Sequence, residues 1–167
     1  KDVLVSKGKI SKIDDNISAD CKIISVDGLV VSEGWLDLFS VIREPGNEHK
    51  DTIKNLLSSA AKGGFTQVLG ISGTTPPMDN KAQVQYAKTN SVGNVVTLLP
   101  AGTVTEGQKG EEITEMYDMH LSGAVAFCDG KKTLSNPELL KRALLYTKPF
   151  DGKIITYCED KMVANNG

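Results

Sequence analysis

Gly34-Trp35-Leu36-Asp37-Leu38-Phe39-Ser40-Val41-Ile42-Arg43-Glu44-Pro45-Gly46 is the stretch that decides the fold. A mainly apolar run, Trp35 to Ile42, stops abruptly at the polar punctuation Arg43-Glu44-Pro45-Gly46. Such a run, apolar without strict alternation, reads as a strand covered on both faces, as strands of a parallel sheet are. Strands of that kind deliver their last residues to the surface where parallel α/β folds carry their chemistry.

Downstream the same rhythm recurs. Residues 51–62 place Ile53, Leu56, Leu57 and Ala60 at helical spacing, and Gly63-Gly64 ends the helix. A second strand over 65–71 runs into the loop Ser72-Gly73-Thr74-Thr75-Pro76-Pro77. A helix over 81–89, a strand over 94–100, a helix over 110–121 and a strand over 124–128 follow. A helix over 136–147, capped by Ser135 or Asn136, and a fifth strand over 153–158 complete the series. Five β–α repeats with right-handed crossovers predict either a doubly wound sheet or part of a (β/α)8 barrel. No G-x-G-x-x-G follows the first strand, so the dinucleotide-binding option lacks its main signature. Gly107-Gln108-Lys109-Gly110 lacks the G-K-[ST] of a phosphate loop and reads as a flexible turn.

Upstream the pattern is different. Residues 3–6 and 9–13 alternate around Lys7-Gly8 and predict a hairpin. Residues 22–26 and 29–31 read as third and fourth strands, separated by a turn at Asp27-Gly28. The expected division is therefore a small antiparallel β-subdomain over 1–33 and a parallel α/β part over 34–167.

Bulk properties exclude several classes. A net charge of −2 over 167 residues gives no electrostatic footprint for nucleic acid or an anionic membrane surface. No apolar run approaches the ~20 residues that span a bilayer. Cys21, Cys128 and Cys158 are odd in number and widely spaced, with no C-x-x-C pair; they read as buried, reduced thiols of a cytoplasmic protein. His49 and His120 are the only histidines, few for any metallohydrolase.

These segments, in order, resemble dihydroorotases of the amidohydrolase superfamily, whose pattern over the opening stretch is Gly-Φ-Φ-Asp-x-His-x-His-x-Arg-Glu/Asp-Pro-Gly. Here Phe39 and Val41 stand at the two histidine positions. Arg43-Glu44-Pro45-Gly46 with His49-Lys50-Asp51-Thr52 resembles the family's R-E-P-G-x-E-x-K-E/D-T, and Ala60-Ala61-Lys62-Gly63-Gly64-Phe65-Thr66 its A-A-x-G-G-F/Y-T. Pro100-Ala101-Gly102-Thr103-Val104-Thr105, Gly123-Ala124-Val125-Ala126-Phe127 and Tyr157-Cys158-Glu159-Asp160 resemble its later barrel strands. The resemblance implies an α/β fold: a partial (β/α)8 TIM barrel of about five βα units, with a small N-terminal antiparallel β-subdomain. Five strands do not close a barrel, and a whole one takes ~250 residues. The expectation is a piece of a longer chain.

The resemblance also implies site residues. Arg43 matches the arginine that holds the substrate carboxylate through its planar fork. Asp129 matches the acidic metal position of the fourth strand, with Gly130 where a companion aspartate often follows. Tyr157 falls on the histidine of I-x-H-C-E-D, and Gly73 on the substrate-contacting asparagine of M-P-N-T. The family's cofactor is zinc; with Phe39, Val41 and Tyr157 at ligand positions, no bound zinc is expected here. Each matched residue also has a plainer role: Arg43 pairing with a carboxylate or capping a helix, and Asp129 as a turn residue before Gly130. His49 reads as solvated, His120 as a surface or interface imidazole, and Asp37 as a hydrogen-bond acceptor for backbone.

The implied functions are then three. One is a non-catalytic dihydroorotase homologue of pyrimidine biosynthesis, assembling with aspartate transcarbamoylase or an active dihydroorotase, or with its own copies. The second is an active zinc dihydroorotase with rearranged ligands, converting dihydroorotate to N-carbamoyl-aspartate. The third is a binder of a small carboxylate through Arg43.

Overall fold

The computed structural model describes residues 1–26 and 28–164, apart from the side chains of Lys161 and Met162. They fall into two compact units, Lys1–Ser32 and Glu33–Gly167.

In the first unit β1 (Asp2–Ser6) and β2 (Lys9–Asp14) pair antiparallel. Lys7 and Gly8 both take positive φ, 51° and 73°, which gives the turn the twist a two-residue hairpin needs. A register shift between Leu4 and Val5 leaves Ser11 as the extra residue, and its hydroxyl donates to the Leu4 carbonyl at 3.1 Å. The expected strands over 22–26 and 29–31 do not form among the described residues, and the turn between them falls partly on Asp27, outside those residues. Ile23, Ile24, Leu29, Val30 and Val31 are exposed. Alternation supplies a face, but a strand also needs a neighbouring backbone to exchange hydrogen bonds with, and none of the described ladders includes these residues.

The second unit winds through β3 (Trp35–Ile42), α1 (Ile53–Lys62), β4 (Phe65–Ser72), α2 (Lys81–Ser91), β5 (Thr97–Gly102), α3 (Met116–Leu121), β6 (Ala126–Phe127), α4 (Pro137–Thr147), β7 (Lys153–Ile154) and a final turn of helix, α5 (Lys161–Ala164). The sheet order is β3-β4-β5-β6-β7, parallel throughout. A doubly wound sheet reverses its strand order part-way; this one never does. Unidirectional winding curls the sheet into half a (β/α)8 barrel, with the small antiparallel sheet as a separate element.

Apolar packing lies on both faces of the sheet, but the edge strand β3 departs from the expected double cover: Trp35, Leu36, Leu38 and Phe39 are exposed, and only its last residues are packed. On the helix side, Ile42, Val68, Leu98 and Phe127 pack with Ile53 and Leu57 of α1, Val84 and Ala87 of α2, and Met116 and Met119 of α3. On the other side, Leu69, Ile71, Ala101, Ala126 and Cys128 form a second cluster with Val41, Leu99 and Ile155. Every member of that inner cluster comes from a strand or from the residue just after one.

Helix starts follow their caps. Thr52 accepts from the Asn55 amide, and Asn80 accepts from Ala82 and Gln83. Asn136 rather than Ser135 caps α4, accepting from Glu138 and Leu139 with Pro137 in the first turn. The expected helix over 110–121 is shorter. Gly110 takes φ +75°, Ile113 bridges to Thr105, and Thr114 donates to the Thr103 carbonyl at 2.7 Å, so helix begins only at Met116. The third and fifth barrel strands also shift: β5 pairs from Thr97, and β7 pairs over two residues, continued by the Ile155 amide to the Phe127 carbonyl at 2.9 Å.

Candidate functional site

The carboxyl ends of β3 to β7 deliver the candidate residues to one side of the half-barrel. On β3 a bulge sets the register. Asp37 faces Val68 and Ser40 faces Gly70, so Leu38 and Phe39 together oppose Leu69. Asp37 holds the bulge, accepting from the Phe39 amide at 2.9 Å and the Ser40 hydroxyl at 2.7 Å, the backbone role expected of it. Beyond the bulge Val41 packs into the inner apolar cluster, while Phe39 stays outside it and 37% exposed.

The loop after β3 is bolted to two helices. Glu44 accepts from the Ile53 amide at the start of α1, 2.9 Å, and from the Tyr86 hydroxyl of α2, 3.1 Å. Burial, reinforced by that carboxylate, pushes the Tyr86 phenol up. The same loop is laced to the loop after β4. Asn47 donates to the Gly73 carbonyl and the Thr75 hydroxyl, both at 3.2 Å, and the Thr75 amide donates to the Pro45 carbonyl at 2.9 Å.

Glycine is required on both sides of this crossing. Gly46 takes φ +92°, and a Cβ there would run into the Thr75 carbonyl and come within 2.8 Å of the Thr75 Cβ. At Gly73 a Cβ would collide with a Val41 methyl and lie 3.0 Å from the Ile42 carbonyl oxygen and 3.3 Å from Arg43 Nη1. Val41 and Arg43 thus occupy the space where a side chain at position 73 would start. Arg43 is half-buried, and among the described residues its guanidinium has neither a hydrogen-bond nor an ion-pair partner.

Asp129 lies just beyond β6, 4% exposed. Its Oδ1 accepts from the Val104 amide at 2.7 Å and the Thr105 amide at 3.1 Å, and its Oδ2 accepts a short hydrogen bond from the Thr105 hydroxyl. The carboxylate therefore joins the loop after β6 to the loop after β5 with both oxygens. Around it, Gln108 donates to the Ser72 carbonyl at 3.2 Å, Lys132 to the Gln108 carbonyl at 3.0 Å, and the Gly107 amide to Asp79 at 3.1 Å. The turn at 107–110 is thus a cross-tie between three strand ends. Sequence reading missed Thr105, Gln108 and Ser72, because their partners lie 24 to 36 residues away and no local pattern announces them.

The remaining candidates do not converge on this point. Tyr157 is 41% exposed, and its backbone carbonyl accepts from Thr133 at 2.9 Å. His49 is exposed, as expected, and His120 stacks on Phe150 with ring centroids 5.0 Å apart. The cysteines correct an expectation: Cys128 alone is buried, whereas Cys21 and Cys158 are exposed, lying outside the packed strand segments. Burial pushes the Cys128 thiol up, although the Gly130 amide donates to its sulfur at 3.2 Å.

A singly wound parallel α/β half-barrel with polar groups gathered at its strand ends defines an enzyme-type scaffold of the (β/α)8 class. The family model described as dihydro-orotase-like matches residues 28–167. Dihydroorotases of Caldanaerobacter subterraneus subsp. tengcongensis and of a Thermoanaerobacter species are each 40% identical over 168 residues, 99% of this chain and 39% of theirs. The dihydroorotase of Aquifex aeolicus is 37% identical over 98% of this chain and 39% of its own. The chain belongs to the dihydroorotase-like family, and it spans about two fifths of the length of these curated relatives.

The zinc that the family implies can be tested against the residues present. Zinc takes nitrogen, sulfur or carboxylate donors arranged around one point. Val41 offers hydrocarbon packed against hydrocarbon, Phe39 has no lone pair, and both oxygens of Asp129 are already spent on backbone and hydroxyl donors. Among the described residues no group of three or more His, Cys, Asp or Glu is placed to hold a metal ion. The donor set does not fit zinc. No helix among the described residues is long and apolar enough to cross a membrane.

Proposed function

We propose that this chain is a dihydroorotase-like protein of pyrimidine biosynthesis that keeps the barrel scaffold without hydrolysing dihydroorotate. Its role is that of a non-catalytic partner which stabilises aspartate transcarbamoylase or an active dihydroorotase. One observation carries this reading. At the end of the first barrel strand Val41 is part of a continuous apolar cluster, so the place where the family's chemistry would need a charged metal is lined with hydrocarbon. A divalent ion without strong ligands in such surroundings is heavily disfavoured. The full-length protein, incubated with excess zinc and desalted, is expected to retain well under one equivalent and to leave dihydroorotate unchanged. It should co-purify with the transcarbamoylase or an active dihydroorotase. Stoichiometric zinc together with turnover would establish the rearranged-ligand enzyme instead.

A second reading is favoured by the unpartnered Arg43. A half-buried guanidinium with all its donors free suits a small planar carboxylate, which it can grip with two parallel hydrogen bonds. Dihydroorotate or N-carbamoyl-aspartate is expected to raise the melting temperature of the full-length protein by a few degrees, and Arg43→Ala to abolish the rise. An unchanged shift in Arg43→Ala would dismiss Arg43 as the anchor.

A further inference from the structure

The turn after β5 takes the left-handed region at Gly107, φ +59°, at Gln108, φ +56°, and at Gly110, φ +75°. Glycine adopts that region freely, whereas a residue with a Cβ is strained there. Two of these positions hold the residue their backbone asks for, and Gln108 does not. Strain of this kind persists where the surrounding structure imposes it, and it marks sites where a side chain has work to do.

The Gln108 side chain does not turn to solvent. Half-buried, it crosses to the end of β4, where Nε2 donates to the Ser72 carbonyl at 3.2 Å. Among the described residues that is its one side-chain hydrogen bond, which leaves a second N–H and the amide oxygen free. Lys132 donates to the Gln108 carbonyl at 3.0 Å and pins the strained backbone from the other side. A single neutral hydrogen bond adds little net stability, and the left-handed backbone offsets it. The tie to Ser72 alone does not explain a glutamine here.

Its neighbours do. The Ser72 carbonyl belongs to the peptide that leads into Gly73, and a Cβ at Gly73 would lie 3.3 Å from Arg43 Nη1. The Gln108 amide and the Arg43 guanidinium therefore flank the same strand end. Beside them the loop after β6 leaves room. Apart from its chain neighbours, a Cβ added at Gly130 would meet only Gln108 Nε2 at 3.8 Å and the Ser72 oxygen at 3.9 Å, both ordinary contact distances.

A carboxylate gripped by Arg43 would bring its adjoining atoms next to a neutral donor and acceptor. A ligand amide can pair with both. Hydrocarbon in that place would strip water from the Gln108 amide and give nothing in exchange. We propose that Gln108 is a specificity-determining residue of the Arg43 site, reading an amide group beside the carboxylate of a small ligand and rejecting the hydrocarbon counterpart. This rests on the carboxylate-binding reading of Arg43.

Two ring carboxylates that differ in their amide groups, dihydroorotate and cyclohexanecarboxylate, are titrated calorimetrically into the full-length protein. The wild type is expected to prefer dihydroorotate by about tenfold or more, the worth of one hydrogen bond. Gln108→Gly removes the side chain and relieves the backbone, whereas Gln108→Met keeps the reach and the strain without the amide. Both should bring the two affinities within about threefold by weakening dihydroorotate alone, and both should melt, ligand-free, within about 3 °C of the wild type. Arg43→Ala should lose both ligands. A preference that survives in both Gln108 variants, with binding still lost in Arg43→Ala, would overturn the role of Gln108 and leave the Arg43 reading standing. An equal loss of both ligands in the Gln108 variants would also overturn it, as the mark of a purely structural tie. A wild type that binds neither probe at about 10 mM would sink both readings together.

Discussion

Asp129→Ala is expected to lower the unfolding free energy by roughly 3–5 kcal/mol, measured as a lower denaturant midpoint with little change in slope. The side chain is buried and accepts three hydrogen bonds, from the amides of Val104 and Thr105 and from the Thr105 hydroxyl. Alanine would leave those donors without an acceptor in a site closed to bulk water, and an unsatisfied buried polar group costs about 1–3 kcal/mol. Asp129→Asn keeps an oxygen for the two amides and should lose only about 1–2 kcal/mol. A metal-ligand role makes a different forecast: the wild type would gain stability from added zinc and both variants would lose that gain. A destabilisation below about 0.5 kcal/mol in Asp129→Ala would refute the structural role.

Gly46→Ala is expected to cost roughly 3–4 kcal/mol and to part the loops after β3 and β4. Two effects add. At φ +92° any Cβ is strained, by about 1–2 kcal/mol. The new methyl would also run into the Thr75 carbonyl, whose residue is hydrogen-bonded to Pro45 and Asn47. Gly64→Ala separates the two, since Gly64 takes φ +83° with nothing within 4 Å of its added Cβ. It should show the conformational cost alone, about 1–2 kcal/mol. Amide exchange at Thr75 reports the parting directly, because that amide is protected by the Pro45 carbonyl. Equal losses in the two variants would mean that the crossing of the loops contributes nothing.

The scaffold was legible where local signals and burial agree. The first barrel strand ends at Ile42 as its polar punctuation requires, and α1 ends at Lys62 before Gly63-Gly64. Residues 22–31 misled because alternation describes a face while pairing depends on a second backbone. The stretch 110–115 does not join the helix expected over 110–121, because a glycine takes positive φ and a threonine bonds back across the loop.

Residue types alone determined that Phe39 and Val41 carry no metal donor, since side-chain chemistry does not wait on folding. Tertiary structure decided the rest of the site. It packed a partly buried Val41 against the inner apolar cluster but left Phe39 outside, because a bulge held by Asp37 reset the register between them. It spent Asp129 on the loop after β5, because partners 24 and 25 residues apart in sequence meet only when parallel strands are laid side by side, and it left the Arg43 guanidinium unpartnered among the described residues. A strand is specified by its own residues and their periodicity. A site is specified by which strand ends come together, and that is a property of the sheet.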